Sequence, residues 1–253
     1  MTSQNSGAAG MRQGELIAML AFLFATVAFS MDAMLPALPQ IASELIPADV
    51  NRAQLVLTGF MAGMGVGTLF AGPISDALGR KPAMAIGLTI YLVFSIVAMF
   101  AHSLEALLLA RFAQGLGAAS PRIVGTALVR DLYSGREMAR ITSFIMMVFM
   151  IVPAMAPLIG QGFIAVLGWR GVFIGCFMFG ATGWLWLGLR QPETLAPQAR
   201  RPLRAGHLWA GVREVLSDRQ VVLSTITMTL GFAQMFALLS TAQQLFGETY
   251  GQG

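Results

Sequence analysis

The chain has 253 residues, enough for one large or two ordinary soluble domains, but 56% are hydrophobic and 11% charged, against roughly 45–50% and 25% in soluble globular chains. So little charge cannot cover a water-facing surface, which excludes an ordinary soluble fold and leaves lipid as the solvent for much of it. The net charge of +4 is spread one or two basic residues to a loop instead of lining one face, so it argues for orientation in a membrane and against nucleic-acid binding.

A bilayer core takes about 20 apolar residues per helix. Runs of that kind predict helices over 16–35, 54–74, 83–101, 104–128, 141–167, 171–189 and 221–239. The first run follows Arg12 but is too long for the apolar region of a signal peptide, so it reads as a retained span. Asp32 lies near its far end. In the second helix Gly59, Gly63 and Gly67 recur every four residues and share a face, which lets another helix approach closely. Gly63, Gly65 and Gly67 lack the third glycine offset and the strand context of a dinucleotide loop, so packing is their role.

Between the second and third helices, Gly72-Pro73-Ile74-Ser75-Asp76-Ala77-Leu78-Gly79-Arg80-Lys81-Pro82 forms a short charged hairpin. A basic loop resists translocation, and its glycines and prolines allow a tight reversal, as two membrane helices joined on the cytoplasmic side require.

The fourth helix carries Arg111 about seven residues in, and a small-residue patch at Gly115, Gly117, Ala118 and Ala119. At 1.5 Å per residue, Asp32 and Arg111 both fall roughly 6–12 Å below the outer surface of the bilayer, so they could meet. A charge near the bilayer centre costs at least about 2.5–3.5 kcal/mol and faces a cavity or a partner. A helix-end cap for Asp32 and a structural ion pair for Arg111 are the plainer readings. Arg122, eleven residues beyond Arg111, can snorkel to the cytoplasmic surface. In the fifth helix Pro153, Pro157, Gly160 and Gly162 loosen the backbone, either as a tolerated kink or as a bend that shapes a cavity. Cys176, in the sixth, has no partner for a disulfide and reads as packing.

With the N-terminus inside, the cytoplasmic segments hold Arg12; Arg80 and Lys81; Arg130, Arg136 and Arg140; then Arg190, Arg200, Arg201, Arg204, Arg213 and Arg219. The outer loops hold only Arg52 and Arg170. That asymmetry predicts a cytoplasmic N-terminus. His102 and His207 stand alone and read as solvated, no metal-ligand spacing occurs, and no phosphate-binding lysine loop is present. Neither enzymatic activity nor a cofactor is expected. Three segments are expected: a six-helix bundle over 1–190, a basic cytoplasmic interdomain loop over 191–220 with three prolines, and the first helix of a second, truncated bundle over 221–253.

Several of these residues resemble motifs of the major facilitator superfamily. Gly72, Asp76, Gly79, Arg80 and Lys81 sit at the offsets of its loop motif. Arg111-Phe112-Ala113-Gln114-Gly115-Leu116-Gly117-Ala118 is similar to its fourth-helix motif. Pro153-Ala154-Met155-Ala156-Pro157-Leu158-Ile159-Gly160-Gln161 looks like its fifth-helix antiporter motif in the variant of Bcr/CflA-type drug efflux proteins, which 31–41 and Gly168-Trp169-Arg170 also match. The resemblance implies a cell inner-membrane, proton-coupled antiporter that exports small amphipathic or drug-like molecules by alternating access between two bundles. It also implies proton coupling at Asp32 and Arg111, a cytoplasmic gate at Gly72, Asp76, Gly79, Arg80 and Lys81, and an antiporter helix at Pro153, Pro157 and Gly160. An uptake symporter or metabolite exporter of the same fold, or a non-transporting truncated product, are the alternatives.

Overall fold

The computed structural model describes residues 11–47, 49–200, 213 and 216–244, with backbone alone at 50 and 235–244. The helices are α1 (Gln13–Asp32), α2 (Leu38–Leu45), α3 (Leu55–Leu78), α4 (Arg80–Met99), α5 (Leu104–Leu132), α6 (Gly135–Leu167), α7 (Arg170–Arg190) and α8 (Arg219–Gln244). Short 3-10 turns occupy Leu35–Ala37, Val50–Gln54 and Pro197–Ala199. The chain divides into two compact units, Met1–Pro202 and Leu203–Gly253. The first is a bundle of six long helices and the short α2, and the described part of the second is residues 213 and 216–218 with α8. The expected all-α membrane fold is the fold found. Arg201, Arg204, His207 and the rest of 201–212, with 214 and 215, are the part of the expected interdomain loop that lies outside the described residues, as does the chain after 244.

Two boundaries move in ways that matter. First, α3 runs on to Leu78 and α4 begins at Arg80, so the charged hairpin contracts to Gly79, and Asp76, Arg80 and Lys81 are helical. An apolar run marks the part of a helix that sits in lipid, whereas the backbone hydrogen bonds continue until a terminator intervenes. For the same reason α6 starts at Gly135 and not near 141. Second, the first span does not reach 35 as one helix. The Ala33 amide still donates to Phe29 O at 3.0 Å, but Met34 donates to Met31 O at 3.3 Å, a switch to the tighter pattern. Pro36 and Pro39 then open the 3-10 turn and α2, positions where a missing N–H does no harm.

Helix α5 is central, packing along α3 on one side and α4 on another, while α4 also meets α7, and α1 lies against α6 and α7. Small residues make this possible, as their spacing predicted. A Cβ on Gly63 would collide with the carbonyl of Phe112, one on Gly115 with the carbonyl of Phe60, and one on Gly67 would lie 2.6 Å from Leu116 O. Gly117 meets α4 in the same way, against the carbonyl of Gly87. Among the described residues five segments, all in this unit, are long and apolar enough to cross a membrane, and α5 is not among them. Its Arg111, Gln114 and Ser120 are buried, so protein and not lipid solvates them. Leu69, Phe70, Leu109, Met150 and Val166 project from the bundle surface, as lipid-facing side chains do.

The α3–α5 seam yields a direct test. Gly63→Ala should lower stability in detergent by about 1–3 kcal/mol, because the helices must separate. Gly65→Ala, on the same helix but with nothing within 4 Å of the added carbon, should change it by less than about 0.5 kcal/mol. Thermal unfolding followed by size-exclusion chromatography distinguishes the two.

Candidate functional site

At the end of the bundle where α3 turns into α4, Gly79 has φ +111° and ψ 162°, a conformation that favours glycine. A side chain there would also meet the Glu193 carboxylate, with Oε2 at 2.5 Å from the Cβ position. Glu193 fills the space above the turn. Its Oε1 accepts from the Arg80 amide at 3.0 Å and the Leu195 amide at 2.8 Å, and its Oε2 accepts from the Lys81 amide at 3.1 Å. Gly79 has no side chain to cap α4, so a carboxylate from beyond α7 does it, favourably placed at the positive end of the helix dipole. Lys81 returns the arrangement, donating from Nζ to Gly188 O at 2.8 Å near the C-terminus of α7.

The Arg80 side chain, nearly buried, spreads its fork across two helices. NH1 donates to Asp76 Oδ1 at 2.6 Å and to Ser75 Oγ at 2.7 Å, and Nε donates to Asp131 Oδ2 at 2.6 Å. One guanidinium thus joins the last turn of α3 to the last turn of α5. A cleft of about 400 Å³ lies over it, lined by Gly72, Asp76, Arg80, Arg130 and Asp131 with Leu195 and Ala199. Gly72 is loosely surrounded, since an added Cβ would only touch Ile123 at 4.0 Å. The loop residues named from sequence therefore converge, and two partners escaped that reading. Asp131 is an acid among Arg130, Arg136 and Arg140, and Glu193 is an acid opening a basic segment. An acid set among basic residues, as Glu137 also is, is the signal that could have found them.

The second cluster is internal. Arg111 is fully buried yet pairs with no carboxylate. The ion pairs among the described residues are Arg80 with Asp76 and Asp131, Arg170 with Glu44, and Arg190 with Glu15. Arg111 donates instead to Gln114 Oε1 at 2.7 Å, Ser30 O at 3.1 Å and Val56 O at 3.3 Å, and lies 4.3 Å from the Phe60 ring centroid and 5.9 Å from that of Phe173. Carbonyl dipoles and ring faces stand in for a counterion. Gln114 passes the network on to Ser95 at 2.7 Å, and Ser30 and Tyr91 share a hydrogen bond of 2.5 Å. Cys176 is buried beside this Tyr91–Ser30 pair.

The expected meeting of Asp32 with Arg111 does not occur here as an ion pair. Arg111 engages the Ser30 backbone carbonyl, and Asp32 takes part in no ion pair among the described residues. Asp32 is half-buried and is the last residue of α1. The next residue, Ala33, touches Gly160, where an added Cβ would collide with the Ala33 carbonyl. The fifth-span motif is thus seated on the break in the first span. Pro153 and Pro157 lie within the continuous α6 and remove two of its backbone donors. Arg122 and His102 are exposed.

The profile of the Major Facilitator Superfamily matches residues 20–253. The chain belongs to the major facilitator superfamily. It is 30% identical over 238 residues to the MFS-type transporter YdgK of Bacillus subtilis, covering 92% of this chain and 59% of that one. It is 29% identical over 223 residues to the bicyclomycin resistance protein homolog of Haemophilus influenzae, covering 88% and 56%. The chain thus spans a little over half the length of these relatives. Among solved structures, the human organic anion transporter MFSD10 superposes with a TM-score of 0.61 at 20% identity, over 76% of this chain and 50% of that one, a likeness of fold. Superfamily members are multi-pass membrane transporters of small molecules, and the apolar helices described above fit that architecture.

Capping by Glu193 is measurable. Glu193→Ala should cost about 0.5–2 kcal/mol, the usual price of a lost N-cap, and Glu193→Gln, whose single carbonyl oxygen can still accept from one of the two first-turn amides, should cost less. Thermal unfolding in detergent reads both.

Proposed function

We propose that the protein is a proton-coupled exporter of small amphipathic or drug-like molecules, working by alternating access between two bundles, with its N-terminus and the Gly79 end in the cytoplasm. Residues 1–190 would form the first bundle, 191–220 the connecting loop and α8 the first helix of the second. The observation that carries the reading is the position of Asp32: an unpaired, half-buried acid at the break of the first span, with the proline-containing α6 seated on the following residue. The drug-resistance name of the Haemophilus relative supports export of drug-like compounds.

In this reading Asp32 takes and releases the proton, and Arg111 keeps a fixed positive charge near it by way of the Ser30 carbonyl. The Arg80 cage with Asp76 and Asp131 holds the cytoplasmic gate, and loading or unloading Asp32 shifts the balance between inward- and outward-facing states. Substrate identity would be set by apolar shape and a few polar groups in the cavity between the bundles.

Two experiments test this. Cysteines at Ser103 and Ser134, in a Cys176→Ser background, should differ toward a membrane-impermeant thiol reagent added outside intact cells: Ser103→Cys labels and Ser134→Cys does not. The reverse pattern would overturn the orientation. Asp32→Asn in the full-length protein should abolish proton-driven efflux while preserving binding of an uncharged substrate. Uphill efflux equal to that of the parent would remove Asp32 from the coupling role.

A further inference from the structure

The motif Gly168-Trp169-Arg170 has so far served only as a mark of resemblance, yet it closes a cluster at the end of the bundle remote from Gly79. Gly168, at φ +66°, ends α6 and turns the chain into α7. Trp169 is 2% exposed, and its indole Nε1 donates to Glu44 Oε2 at 2.7 Å. Arg170 NH1 donates to the other oxygen of the same carboxylate at 2.7 Å, and NH2 donates to Ala101 O at 3.2 Å. The guanidinium also lies 4.1 Å from the Trp169 ring centroid.

Glu44 belongs to α2, Ala101 follows α4, and Trp169 with Arg170 opens α7, so these side chains tie three separate stretches of chain together. The ion pair alone is half-exposed and weak. The indole N–H gives Glu44 its weight, because a buried donor without an acceptor is costly. On the inner side, Ile41 and Ala42 of α2 are buried, and Trp169 packs edge-on to Phe173 at 6.1 Å, whose ring faces Arg111. The segment after the break is therefore held from both sides. At the break itself, residues 32–34, the helical hydrogen-bond pattern changes, and no ion pair among the described residues involves it.

We propose that Glu44, held by Trp169 and Arg170, is a positioning residue for transport: it locks the segment that follows Asp32 to α4 and α7, so that the first span bends at 32–34 and not beyond. The transport consequence rests on the reading of Asp32 given above, whereas the lock is tested independently of it by hydrogen exchange.

In the protein reconstituted in lipid nanodiscs, Glu44→Ala should raise amide exchange across 38–46 at least tenfold and leave α1 residues 16–30 unchanged. Glu44→Gln, which keeps an acceptor for the indole, should give a smaller rise. In proteoliposomes Glu44→Ala should lower the maximal efflux rate several-fold with KM unchanged. Should Glu44→Ala fail to accumulate, Arg170→Lys, which keeps the charge and loses the fork, should show the same local pattern at lower amplitude. Unchanged exchange at 38–46 overturns the lock. A rise spread equally over α1 overturns its locality, and a local rise with an unaltered efflux rate overturns the positioning role. Failure of the Asp32→Asn test with a local rise at 38–46 would count against the proton reading alone.

Discussion

A guanidinium sealed away from water must find acceptors, and Arg111 finds none that carries a charge. It takes the carbonyls of Ser30 on α1 and Val56 on α3 together with Gln114 on its own helix, and the register of three helices follows from where those oxygens lie. In a regular helix Ser30 O would accept from the Met34 amide. Past Asp32 the pattern tightens, Met34 donates to Met31 O instead, and Ser30 O is left for the arginine. Break and guanidinium depend on each other: the break frees the carbonyl, and the arginine spares it from being buried without a partner.

This arrangement works only because the helices are unusually close. Gly63 and Gly115 let α3 and α5 meet backbone to backbone, which brings Val56 O within reach of the Arg111 side chain and Phe60 within 4.3 Å of its charge. A stripe of small residues and one buried cation are thus parts of the same device. Removing the first would separate the acceptors that the second needs.

Much of this was legible in the sequence, and what was not has physical causes. The seven long helices followed from apolar run length, and the close-approach face of α3 from glycine spacing, because both are local periodicities. Helix ends at Leu78, Arg80 and Gly135 were misjudged because hydropathy reports immersion in lipid and not hydrogen bonding. α2 was missed because eight residues behind two prolines carry no span-length signal. The loop-motif residues were found, but Asp131 and Glu193, 51 and 113 positions from Arg80, were not, since only folding brings them near. Asp32 and Arg111 were placed at similar depth from rise per residue alone. Depth says nothing of azimuth, and no ion pair joins the two among the described residues.

The distribution of charge along the first span decides where it can yield. Near its start, Glu15 holds Arg190 of α7 through two contacts at 2.6 and 2.8 Å. Near its end, Glu44 holds Arg170 and Trp169. Between them the residues from Leu23 to Ser30 are buried on all sides in close-packed surroundings that resist deformation. The stretch 32–34 has no ionic anchor among the described residues, its helical hydrogen bonding gives way at Met34, and Ala33 meets α6 at Gly160. That neighbour is the least buried of the apolar spans and lacks the backbone donors of Pro153 and Pro157. In the proposed transport cycle a change of angle in the first span would therefore concentrate beside Asp32, next to the helix best able to follow it.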